Sequence, residues 1–137
     1  MPEVAIIFIR NSSGDLFLHQ RLPTKRTFPD KYGIGAGGHV DPGENPTQAA
    51  IRELYEETTL QTPLEYICTV DFDESDFKER AHLFVTVYDG DIQTDASEWQ
   101  WSGWMTRAQV DDLRDAGKLC TDTAEMYRRY LETPKFA

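Results

Sequence analysis

The chain opens on an unbroken apolar run, Val4 to Ile9, followed by the polar cluster Asn11-Ser12-Ser13-Gly14-Asp15 and a second strand-like run from Leu16 to Gln20. Two short runs around such a cluster predict paired strands joined by a turn. The first run is apolar at every position, so it predicts a central strand covered on both faces. Residues 21 to 33 carry Pro23, Pro29 and Gly33 and read as a loop, and Ile34 to Val40 reads as a short glycine-rich strand or turn. Asn45-Pro46-Thr47-Gln48 predicts a helix start, with Asn45 as N-cap, Pro46 in the first turn and Gln48 closing a capping box, and the helix should run to about Thr58.

Strands are predicted at Leu64 to Phe72, Ala81 to Tyr88 and Glu98 to Met105. Thr106 with Gln109 predicts a second helix that Gly117 ends. Asp122 with Glu125 predicts a last one, with Met126, Tyr127, Tyr130 and Leu131 on its buried side and Pro134 beyond its end. Strands and helices alternate without a regular βαβ period. The expectation is an α/β fold with a mixed β-sheet and helices on both faces.

The whole chain of 137 residues, 1–137, is the size of one domain. Its 39% hydrophobic content excludes disorder, and its formal charge of −10 argues against a nucleic-acid polymer or an anionic membrane as partner. No run is long and apolar enough for a membrane helix, and the start lacks the pattern of a signal peptide. Cys68 and Cys120 form no CxxC pair or zinc spacing, so both read as buried reduced thiols and the expected location is cytoplasmic.

The chemistry concentrates in residues 37 to 60. Glu53, Glu56 and Glu57 stand at i, i+3 and i+4 and share a helix face, where like charges cost about 0.2–0.5 kcal/mol per close pair. On spacing alone this is either a solvated acidic face or a cation site. A divalent cation would reverse the cost, and carboxylate oxygens are the ligands Mg²⁺ or Mn²⁺ prefers. Gly37, Gly38 and Gly43 allow close backbone approach to a ligand, and Glu44 precedes the helix on the same side.

Gly38, Glu44, Arg52, Glu53, Leu54, Glu56, Glu57 and Leu60 fit the pattern G-x5-E-x7-R-E-U-x-E-E-x-G-U, with U aliphatic. The segment resembles the Nudix box. One position departs: Thr59 stands where the family has glycine, a left-handed helix stop that a β-branched residue adopts at a cost of about 1–2 kcal/mol. The resemblance implies an α/β/α sandwich and hydrolysis of a diphosphate linked to another moiety, with Mg²⁺ or Mn²⁺. A nucleoside diphosphate derivative is the default substrate and a homodimer the default assembly.

It further implies that Glu56 and Glu57 bind metal, that Glu53 is a ligand or the base that orients water, and that Arg52 orients a box glutamate. The backbone carbonyl of Gly37 or Gly38 would offer another metal oxygen, and Glu44 would support the loop. Glu98, ahead of the aromatic Trp99 to Trp104 segment, is a candidate second acid. Arg21 and Lys25, in the one distinctly basic stretch, are candidates for substrate phosphate, and His39 for water or phosphate. His19 and His82 read as strand residues without a catalytic role. Asp71 to Asp76 is not a calcium loop, because its sixth and twelfth positions, Asp76 and His82, lack the required glycine and glutamate, and it reads as a solvated loop at the rim. Two other classes remain: an isomerase related to isopentenyl-diphosphate isomerase, which would need a cysteine where Gly35 and Ala36 stand, and a non-catalytic Nudix-fold binding module, which the intact carboxylates oppose.

Overall fold

The computed structural model describes residues 1–95 and 97–136. Seven strands form one sheet: β1 (Glu3–Arg10), β2 (Leu16–Arg21), β3 (Tyr32–Ile34), β4 (Ala36–His39), β5 (Glu65–Asp73), β6 (Lys78–Val87) and β7 (Trp99–Met105). Three helices accompany them, α1 (Pro46–Thr58), α2 (Arg107–Asp115) and α3 (Thr121–Glu132), and a 3₁₀ turn follows at Pro134–Phe136. The sheet is mixed. β1 runs parallel to β6 along its whole length, while β5 with β6, β4 with β1, and β3 and β7 with β2 are antiparallel.

The continuous apolar run of β1 divides by parity. Val4, Ile6 and Phe8 join a core containing Leu83, Val110, Met126 and Tyr127, beneath α2 and α3. Ala5, Ile7 and Ile9 join a second core containing Ala49, Ala50 and Leu54 of α1. A strand buried on both faces has no polar side to show, which is why its sequence lacks alternation. The arrangement is the expected α/β/α sandwich.

β1 and β2 touch only at the Arg10–Leu16 end. Beyond it they part, β1 taking β4 as partner and β2 taking β3 and β7. The chain crosses this split at Gly35, whose φ of 71° and close approach to the Ile7 carbonyl leave no room for a side chain. The segment 34–40, expected as a short glycine-rich strand or turn, is therefore divided between two strands broken at Gly35, and β3 begins inside the predicted loop, at Tyr32. Tyr32 also ties down the α2–α3 junction: its N–H donates to the Lys118 carbonyl and its carbonyl accepts from Cys120 N–H, at 2.8 and 2.9 Å.

Both predicted capping boxes are present. Asn45 and Gln48 cap α1 reciprocally, and Thr106 and Gln109 cap α2. α1 ends with Thr59 at φ 60°, so the helix keeps the left-handed stop in spite of the threonine. Thr59 N–H donates to the Tyr55 carbonyl at 2.9 Å. The last helix differs from expectation. Its N-cap is Cys120, and Asp122 lies within the first turn, where its carboxylate accepts from Thr123 N–H at 2.8 Å. The Tyr32–Cys120 bond fixes the backbone direction before Asp122 is reached, so the helix starts early. Leu131 is half-buried, as is Cys68, which sits on β5; Cys120 is buried, and both thiols are free. Asp71 and Asp73 belong to β5, leaving only residues 74 to 77 as the turn to β6. Among the described residues no helix is long and apolar enough to cross a membrane.

Candidate active site

A cleft of about 1160 Å³ opens where β1 and β2 part. α1 lies along one wall. Leu54 and Thr58 face the core, which turns Glu53 and Glu57 toward β4. Glu57 accepts the Gly37 N–H at 2.8 Å. Burial against β4 pushes its carboxyl up to about 8, and the charges of Glu53, Glu98 and Glu56 add to the rise against the opposing Gly37 bond. Glu53 lies over Gly38, where a Cβ would come within 2.6 Å of Oε2. Desolvation raises its pKa also, and Arg52 opposes the rise. Glu56 is exposed at the mouth.

Arg52 holds this wall together. It donates two bonds to Glu44 (2.8 and 2.9 Å), one to Glu53 (2.7 Å) and one to the His39 carbonyl (2.9 Å), and lies 3.4 Å from Glu56. The planar guanidinium suits such a fork of acceptors. Glu44, so paired and also accepting from Asp41 N–H, is held down at about 2. Glu44 thus braces the loop through Arg52, as expected.

Lys25, Arg26 and the loop stem Arg21 line the same cleft, with Glu98 3.7 Å from Lys25. Arg21 spends its guanidinium on Thr27, donating to its carbonyl at 2.9 Å and its hydroxyl at 3.2 Å. His39 lines the cleft with an exposed side chain. Gly38, Glu53, Glu56, Glu57, Glu98, Arg21, Lys25 and His39 therefore border one cavity, and Arg52 stands outside its lining, bonded to Glu53.

Several lining residues were not singled out from sequence. His19 is buried and stacked on Trp99, ring centroids 4.3 Å apart, with Nδ1 2.7 Å from the Gly35 carbonyl. Desolvation lowers its pKa to about 4, so the ring is neutral and donates from Nδ1. A histidine on an inward strand position was the available signal. Cys120 also lines the cleft, with burial pushing its thiol up to about 12. Glu79 and Asp122, far apart in sequence, line it as well.

The carboxylates fit a hard divalent cation by chemistry: all are oxygen donors, and the rise at Glu57 marks a place where positive charge would be welcome. Among the described residues no three His, Cys, Asp or Glu side chains converge on one point as they stand. Glu53 and Glu57 each give one oxygen, Oε1, to Arg52 and to the Gly37 N–H.

The NUDIX domain family matches residues 1–130. The chain belongs to the Nudix hydrolase family. An uncharacterized Nudix hydrolase of Rhodococcus erythropolis is 33% identical over 121 residues, 77% of this chain and 65% of that one. A Nudix hydrolase of Deinococcus radiodurans is 30% identical over 130 residues, 89% of this chain and 74% of that one. The chain thus spans about two-thirds to three-quarters of the length of these Nudix relatives. Among solved structures, DR0079 of D. radiodurans superposes with a TM-score of 0.82 at 24% identity, covering 93% of this chain and 82% of that one. The NUDIX domain of Shewanella oneidensis NrtR, complexed with ADP ribose, gives 0.76 at 19% identity over 95% and 86%. At these identities the two structures establish the Nudix fold alone.

Proposed function

We propose that this Nudix protein hydrolyses a diphosphate linked to another moiety, a nucleoside diphosphate derivative, using Mg²⁺ or Mn²⁺. The observation that carries the reading is the packing of Glu53 and Glu57 against the Gly37–Gly38 edge, in a cleft that also holds Lys25 and Arg26. Glu53, Glu56, Glu57 and the Gly38 carbonyl would hold the cation, which when bound neutralises phosphate charge and acidifies water. Arg52 fixes the orientation of Glu53. Glu53, with Glu98 as second candidate, accepts the proton of the attacking water as its oxygen bonds to phosphorus and the bridging P–O bond breaks. Lys25 and His39 would meet the phosphates in the cleft, and Arg21 would join them by giving up its bonds to Thr27.

The binding of ADP ribose by the S. oneidensis domain supports a nucleotide-type substrate. Two free thiols agree with a reducing, cytoplasmic location. The isomerase alternative finds little support: Gly35 and Ala36 offer no side chain for proton transfer at carbon, Cys68 lies on β5, and burial keeps Cys120 a neutral thiol.

The test is a panel of nucleotide and sugar diphosphates with Mg²⁺ or Mn²⁺, with products identified. Release of phosphate or a phosphorylated fragment is expected; conversion of isopentenyl diphosphate to its isomer without phosphate release would overturn the reading. The same cations should raise the melting temperature, because they bind the folded state. Changing Glu56 and Glu57 together to glutamine should abolish that rise, and an equal rise in the double variant would place the cation elsewhere.

A further inference from the structure

The proposed mechanism leaves one polar atom of the cleft unused. His19, on β2, stacks its ring on Trp99 with the planes 9° from parallel. The Gly35 carbonyl, 2.7 Å from Nδ1, only accepts, so Nδ1 carries the ring hydrogen and Nε2 keeps a lone pair. Burial keeps the ring neutral. Nε2 has no hydrogen-bond partner among the described residues, where His19 bonds only through Nδ1. It is nevertheless not sealed off, because the one side-chain nitrogen or oxygen there that is both enclosed and unpartnered is Glu79 Oε2. His19 is 8% exposed and lines the cleft, so Nε2 opens onto it. A largely buried acceptor without a donor is unfavourable, and in a cleft it is a place for a ligand hydrogen.

Glycine at position 33 keeps that opening. Gly33 lies opposite His19 across β2 and β3 and lines the same cleft. A Cβ there would stand 2.5 Å from Nε2. Its φ is not in the left-handed region, so the missing side chain answers to the imidazole and not to the backbone. The position of the acceptor narrows the ligand. Arg21 lies two residues on along β2, Lys25 and Arg26 follow in the loop, and all three line the cleft. A diphosphate drawn to these cations brings the group attached to it beside His19. Phosphate oxygens carry no hydrogen to give at neutral pH, and an isoprenoid chain would leave Nε2 unpaired. A sugar ring has hydroxyl donors on its edge and no charge.

We propose that His19 is a specificity-determining residue whose Nε2 accepts a hydroxyl hydrogen from the sugar that adjoins the substrate's diphosphate. This deepens the hydrolase reading and rests on it for the diphosphate end of the ligand.

The test is calorimetric binding, in the presence of Mg²⁺, of the uncleavable α,β-methylene analogues of ADP, GDP, CDP and UDP against their 2′-deoxy and 3′-deoxy forms. At least one ribonucleotide analogue should bind about tenfold more tightly than one of its two deoxy forms. His19→Phe should erase that preference, because phenylalanine keeps a ring to stack on Trp99 and offers no acceptor. A cooperative thermal transition shows that the variant is folded. Gly33→Ala should erase the preference independently, since its Cβ covers Nε2 and leaves the rest of the ring's chemistry in place. Equal binding of every ribonucleotide analogue and its deoxy forms by the wild type, a preference that survives in either folded variant, or no measurable binding of any analogue overturns the proposal. A hydroxyl preference without cleavage of any diphosphate would instead overturn the hydrolase reading and leave this one standing; cleavage with no hydroxyl preference does the reverse.

Discussion

Gly38→Ala is the perturbation whose effect follows most directly from the geometry. A Cβ on residue 38 would lie 2.6 Å from Glu53 Oε2, with Oε1 and Cδ nearer still, whereas ordinary contact begins near 3.4 Å. The backbone there has no positive φ, so alanine adds no conformational strain. The obstacle is the end of a flexible side chain, and the carboxyl can yield by about 1 Å. Stability should therefore fall by no more than about 1 kcal/mol. Catalysis has no such slack: misplacing a reacting group by about 1 Å costs on the order of 10²-fold. The displaced Glu53 also loses its 2.7 Å bond from Arg52. The contrast is Gly35→Ala, where the new Cβ runs into the Ile7 backbone carbonyl at a φ of 71°. Neither can move aside, so that variant should lose several kcal/mol or fail to fold. The assay pairs kcat on an active diphosphate substrate with denaturant melts of both variants. Wild-type turnover in Gly38→Ala, or a stability loss matching Gly35→Ala, would refute the reasoning that Gly38 exists to seat Glu53.

Glu53→Gln should lower kcat by at least about 10²-fold while leaving stability unchanged or slightly raised, and retention of more than about a third of wild-type turnover in the metal-saturated variant would remove Glu53 from the mechanism. In chelator-treated protein, Glu57 keeps its proton in the folded state up to about 8 but loses it near 4.5 when unfolded, so unfolding releases a proton in that window and stability should fall as pH rises from about 5 to 8; Glu57→Gln should flatten the decline in a pH series of melts. Thr59→Gly should raise stability by about 1 kcal/mol, because glycine adopts φ 60° without the steric cost threonine meets, and activity should not change.

The sequence by itself determined whatever depends on neighbours within a turn or two. The Asn45–Gln48 and Thr106–Gln109 boxes close over three residues and were legible, as was the shared face of Glu53, Glu56 and Glu57. The unbroken apolar run of β1 announced a strand buried on both sides, and the spacing from Gly38 to Leu60 announced the family. What escaped was set by contacts between distant segments. The break at Gly35 exists because β3 and β4 serve different strands, β2 and β1, and pairing choice leaves no local mark. The early start of α3 follows from the Tyr32–Cys120 bond, which no capping rule around Asp122 could contain. His19 read as an ordinary strand residue, because a strand's alternation says which face a side chain takes and not what waits there, and Glu79 fell outside the predicted strands altogether. Only the parting of β1 from β2 turned that face into a cleft, and only the approach of α3 brought Asp122 to it. Helical periodicity and capping are short-range physics written in adjacent letters. Which buried polar groups meet is decided by the closure of the sheet, where the energy of a pair depends on two positions that the chain keeps far apart.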